Sequence, residues 1–125
     1  MRIVVDAMGS DGYPVPDVEG AVMAAREWSE EIIVVGREEV IRSELARHDT
    51  QGLNLRIVHA PEVIEMTDKP AHAARAKQAS SMHAGMKLVR DGEADAYVTA
   101  RNTGGVLAVA TLHTLRRIQG IKRAA

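Results

Sequence analysis

Residues 98–108 read VTARNTGGVLA, an apolar run of strand character passing through Asn102-Thr103-Gly104-Gly105 into an apolar run of helical character. The first N–H groups of a helix lack intrahelical partners, and the dipole adds about half a positive charge, so such an end suits an anion. Two glycines let a ligand approach the backbone closely. The same four residues also fit a plain cap, with the Asn102 or Thr103 side chain accepting the first N–H. Ser80 and Ser81 form a second pair, inside a helical stretch where serine fits poorly because its hydroxyl competes for backbone partners. Either they open a new helix, with another anion-binding end, or they lie exposed on a helix surface. Lys77 and Arg75 offer positive charge nearby or form an ordinary solvated face. Asp6 and Asp11 flank the first long loop. A carboxylate is a poor direct partner for an anion, so their expected role is to orient backbone N–H groups or Lys77, unless they serve only turns and caps.

Other chemistries find less support. No two glycines are spaced G-x-G and no glycine precedes a lysine, so neither a dinucleotide fingerprint nor a P-loop is present. With no cysteine there is no disulfide framework, zinc–thiolate site or cysteine nucleophile, which fits a reducing cytosol. His48, His59, His72, His83 and His113 have no metal-ligand spacing. Glu62, Glu65 and Asp68 resemble a metal cluster only in composition and read as a solvated loop. His59 ends a strand, where it is either an ordinary buried histidine or a proton donor. Sixteen basic and 17 acidic residues leave a net charge of −1, and three aromatic residues offer few platforms for bases, so nucleic acid is not an expected partner. The opening MRIVVDAMG lacks a signal-peptide design, and no apolar run approaches the ~20 residues that span a bilayer, so the expectation is a soluble intracellular protein.

Four β-branched runs must position these groups: residues 2–6, 32–35, 53–58 and 96–100. Helical periodicity follows each, over residues 17–28, 38–47, 70–90 and 103–118, with Val18, Ala21, Val22, Ala25 and Trp28 on one face of the first helix. Strands that read as near-continuous apolar runs, alternating with helices, imply a parallel, doubly wound α/β sheet covered on both faces. The 125 residues suit one α/β domain. The last helix carries no formal charge over residues 104–115 and needs cover all round, and no closing element follows it. The expectation is therefore the N-terminal part of a longer chain, or a subunit interface. Connections in α/β units usually run ~2–6 residues, yet residues 7–16 and 59–69 are longer. Both leave the carboxyl edge of the sheet, as does the step at 101–105, and open α/β sheets bind ligands there.

Taken together, VDAMGSD (5–11), PEVIEM-x-DKP (61–70), the Lys77/Ser80-Ser81-Met82 region and ARNTGG (100–105) resemble one family in order and spacing. The chain is similar to the N-terminal part of the bacterial phosphate acyltransferases of phospholipid synthesis. The resemblance implies a three-layer α/β/α fold with a mostly parallel sheet, like that of isocitrate and isopropylmalate dehydrogenases and of phosphotransacetylase. It implies transfer of a fatty acyl group from acyl carrier protein to inorganic phosphate, giving acyl phosphate for phospholipid synthesis. It also implies a cytoplasmic homodimer, loosely associated with the membrane at its periphery. Such a reaction needs an anion cradle, an oxyanion stabiliser and an oriented nucleophile, with no metal and no cofactor expected. On the resemblance, the cradle falls to the N–H groups of Thr103, Gly104 and Gly105 with the Asn102 amide, aided by Ser80, Ser81 and Lys77, while Asp6 and Asp11 orient. Arg116, Arg117, Lys122 and Arg123 either meet the acidic carrier or offset the helix dipole.

The sequence departs from that family's pattern at three places. Ser10 stands where a second glycine is usual, Gly12 where a histidine is common, and Arg101 where the step usually has glycine. Arg101 either introduces strain, on the order of 1–3 kcal/mol where positive φ is required, or grips phosphate with two parallel guanidinium N–H groups. Two other readings stand beside the acyltransferase: a non-catalytic anion-binding or interaction module, and a dehydrogenase relative of the same architecture.

Overall fold

The computed structural model describes residues 1–100 and 103–115. Four strands, β1 (Arg2–Asp6), β2 (Glu31–Gly36), β3 (Leu55–His59) and β4 (Ala96–Val98), form one sheet in the order β3-β2-β1-β4. Every pairing is parallel, with Val4 beside both Ile33 and Tyr97. The connections carry α1 (Val15–Glu27), α2 (Glu38–Leu45), α3 (Pro70–Ala76) and α4 (Ser81–Arg90). After β4, α5 (Thr103–Ala108) continues into a π-helical segment, Val109–Thr114.

Because strand side chains alternate, β2 feeds two layers. Ile32 and Val34 join Val18, Ala21, Val22 and Ala25 of α1 and Ile41 of α2 in one core. Ile33 and Val35, with Val4, pack instead against Leu88 and Ala94 at the end of α4. A third cluster joins Ala73 and Ala74 of α3, Met82 and Met86 of α4, and Ala108 and Val109. The sheet is thus covered on both faces, giving three α/β/α layers.

The structure redraws three of the expected elements. Helix α1 begins two residues before Asp17, because Pro16 falls in its first turn, where proline is tolerated. It ends at Glu27, so Trp28 is extended and 54% exposed, beside an apolar groove of about 440 Å³ lined by Ile3, Val5, Ala24 and Val98. The continuous helix expected over 70–90 is two helices. Lys77 leaves the helical region at φ −106°, ψ 60°, and Ser80 is extended at φ −74°, ψ 159°. Backbone bonds from Glu62 N to Ala79 O and from Ser81 N to Glu62 O hold the break open. Finally, β4 stops at Val98, because Thr99 turns toward Asp6 and Ala100 toward Gly9. Of the apolar last helix, Gly105, Ala108 and Val109 are buried while Leu107 and Leu115 are exposed.

Candidate functional site

The carboxyl edge of the sheet gathers Asp6, the two long loops and the start of α5. Asp6 closes β1 at 1% exposure. Its Oδ1 accepts from Met8 N at 2.9 Å, and its Oδ2 accepts from the Tyr97 hydroxyl at 3.0 Å and Thr99 Oγ1 at 3.1 Å. Three donors from two segments offset the cost of burying the carboxylate. Parallel register explains the meeting: Val4 lies beside Tyr97 and Val5 beside Val98, so Asp6 and Thr99 project from the same face one step further on.

Two glycines make room for this network. A Cβ on Gly85 of α4 would stand 2.4 Å from Tyr97 Cε2, so only glycine admits the phenol ring between α4 and the sheet. A Cβ on Gly9 would lie 3.0 Å from Ala100 N and 3.1 Å from Thr99 Oγ1, so the first loop presses directly on the step after β4. That loop is tied down further. Asp17 Oδ2 accepts from Ser10 Oγ at 2.9 Å, so the serine at position 10 docks the loop on α1. The Tyr13 hydroxyl donates to Glu65 Oε1 at 3.1 Å and joins the first loop to the third.

Lys77 does not reach Asp6. Its Nζ donates to Asp68 Oδ2 at 2.6 Å and to Val63 O at 2.9 Å, and Asp68 also accepts from Glu65 N at 2.8 Å. The Lys77 ammonium, then the Glu65 N–H, hold the Asp68 carboxyl below its ordinary range. Arg75 is exposed. Asp11 is exposed as well, and its carboxylate makes no hydrogen bond among the described residues.

Ser80 and Ser81 do open a helix, and both are buried rather than exposed. Ser80 Oγ accepts from His83 N at 3.2 Å and lies 2.9 Å from His83 Nδ1. Ser81 N donates to Glu62 O at 3.1 Å. This helix start is therefore engaged by its own chain. His59, expected to be buried, is exposed, and its Nδ1 accepts from Glu38 N at 3.1 Å, which caps α2. Glu62 is equally committed, its Oε1 accepting from Ala79 N at 3.0 Å.

At the start of α5, Thr103 is exposed, Gly104 half-buried and Gly105 buried. Arg101 and Asn102 lie outside the described residues, as do Arg116, Arg117, Lys122, Arg123 and the His113 side chain. Sequence reading passed over Tyr97 and Thr99. The available signal was a pair of hydroxyl-bearing residues two apart at the end of the last strand-like run.

The family model described as "Fatty acid synthesis protein" matches residues 1–125. A protein of Herpetosiphon aurantiacus named phosphate acyltransferase is 55% identical over 98% of this chain and 33% of its own length. Relatives of that name from Koribacter versatilis and Geobacter sulfurreducens are 49% and 48% identical over 100% of this chain, covering 35% and 36% of theirs. The chain thus spans about a third of the length of the curated relatives it matches.

Proposed function

The chain belongs to the family described as fatty acid synthesis protein, and from that premise we propose that the whole protein moves a fatty acyl group from acyl carrier protein to inorganic phosphate. The product is an acyl phosphate for phospholipid synthesis. The observation that carries this reading is the similarity to relatives named phosphate acyltransferase, at 49–55% identity over 98–100% of the chain.

In this reading hydrogen phosphate sits at the N–H groups of Thr103, Gly104 and Gly105 at the start of α5, where the helix dipole favours an anion. Arg101 adds a two-pronged contact to the phosphate oxygens. The Asn102 amide stabilises negative charge on the thioester oxygen as it develops. A phosphate oxygen bonds to the carbonyl carbon, the carbon–sulfur bond breaks, and the phosphate proton passes to the departing thiolate. The proximity of the two reactants supplies much of the acceleration.

Asp6 does not touch phosphate. It fixes the first loop through Met8 N and the β4 end through Thr99. Lys77 acts as a brace for the third loop through Asp68 and Val63, rather than as a phosphate ligand. Asp11, exposed on the first loop, takes an orienting role toward incoming substrate. With the Ser80 hydroxyl and the Ser81 N–H engaged, α4 serves as the wall beside the site, and phosphate goes to α5. We assign the protein a cytoplasmic homodimeric state with peripheral contact to the membrane, as the family resemblance implies. No helix of the described residues is long and apolar enough to cross a membrane.

The test is incubation of the full-length protein with acyl-acyl carrier protein and radiolabelled phosphate. Label should enter a lipid-soluble acyl phosphate in step with release of the carrier thiol. Thiol release without label incorporation would mean hydrolysis and would overturn the reading.

A further inference from the structure

We propose that Tyr97 is a positioning residue for the phosphate cradle, acting through Asp6. The inference rests on the reading that phosphate binds at the start of α5. The Tyr97 ring packs against Gly85 of α4, beside Val4 of β1, and reaches the edge of the sheet with its hydroxyl on Asp6 Oδ2. That oxygen also takes the Thr99 hydroxyl, so the phenol and the threonine set one carboxylate together. The other carboxylate oxygen holds Met8 N, one residue before Gly9, and Gly9 packs against Ala100 N. Thr99 at the end of the sheet and the loop that packs on Ala100 are therefore held by one buried group.

The reach of the chain makes this consequential. Only residues 101 and 102 separate Ala100 from Thr103, and each residue spans at most about 3.6 Å. The positions of Thr99 and Ala100 therefore limit where the first N–H groups of α5 can lie. Errors of about 1 Å in the placement of a reacting group can cost on the order of a hundredfold in rate. Tyr97 occupies no part of the cradle, so its contribution should appear in phosphate use and not in acyl-carrier recognition.

The experiment is steady-state kinetics on the full-length protein with Tyr97→Phe, Thr99→Val and Thr99→Ser, alongside calorimetric titration with inorganic phosphate. Tyr97→Phe keeps the ring against Gly85 and removes the hydroxyl. We expect its KM for phosphate to rise about tenfold, with KM for acyl-acyl carrier protein within about twofold of the parent. Thr99→Val should do the same, and Thr99→Ser should restore the parent value. The double variant should be little worse than either single one, because both act through one carboxylate. An unchanged phosphate KM in Tyr97→Phe would overturn the proposal. So would an equal rise in both KM values, or a loss that tracks the unfolded fraction. Parent protein that binds phosphate without turning over would remove the acyltransfer reading and leave this one to the calorimetry, where a tenfold weaker phosphate affinity in Tyr97→Phe is expected. Parent protein that binds no phosphate would remove both.

Discussion

Two helices start beside the third loop and the β4 step of this protein, and they are built for opposite ends. Helix α4 begins among buried residues, Ser80 to His83, with the His83 N–H donating to Ser80 Oγ and the Ser81 N–H to Glu62 O. Helix α5 begins at exposed Thr103, followed by two glycines, after a strand end where Tyr97 and Thr99 are bonded to Asp6. A helix start engaged by its own chain braces the structure. One whose neighbours are small and whose first residue faces solvent can receive an anion.

Substitutions at the two starts should separate these roles. Thr103→Pro removes one amide donor while proline remains acceptable in a first helical turn. Loss of such a donor costs about a hundredfold in comparable sites, so phosphate KM should rise by about that factor with the unfolding midpoint nearly constant. Ser80→Ala should act the other way round. It removes the cap from a buried helix start, which costs about 2 kcal/mol in urea unfolding, and phosphate KM should stay at the parent value. If Ser80→Ala raises phosphate KM as much as Thr103→Pro does, the contrast between the two helices is wrong.

A smaller effect is expected from Arg101→Gly. Loss of a two-pronged charged contact should raise phosphate KM about tenfold. A fall in KM would instead mean that the arginine strains or blocks the step.

The least effect concerns the brace at α3. Asp68 is held below its ordinary range by Lys77 and Glu65 N, so its contribution to stability is complete above the ordinary carboxylate pKa. It is lost as pH falls through the depressed folded value. Lys77→Met should therefore be less stable than the parent at neutral pH, with the gap closing in acid below about pH 4. Equal stability at neutral pH would show the ion pair to be inert.

Much of the architecture could be read from local pattern, because each strand is a short apolar run and each helix has its own periodicity. The long loops at the carboxyl edge were equally visible, since their lengths exceed what a connection needs. What pattern could not supply is pairing between distant residues. Tyr97 looked like one more strand residue until register set it beside Val4 and Gly85 opened a slot for its ring. Lys77 looked like a free cation on a helix because its partner, Asp68, sits nine positions earlier in a loop rich in carboxylates. The helical signal over 70–90 ran through the break, because the Glu62 bridge that opens it comes from elsewhere in the chain. Serines 80 and 81 were the one local trace of that break, and their burial was decided by packing.

The central claim is that phosphate binds at the start of α5. Its most direct test is an amide NMR titration with inorganic phosphate, using full-length protein labelled at glycine. The account predicts saturable shifts at Gly104 and Gly105, with Gly85 in the interior of α4 unmoved. Saturable shifts confined to other glycines, or none at any glycine, would contradict it.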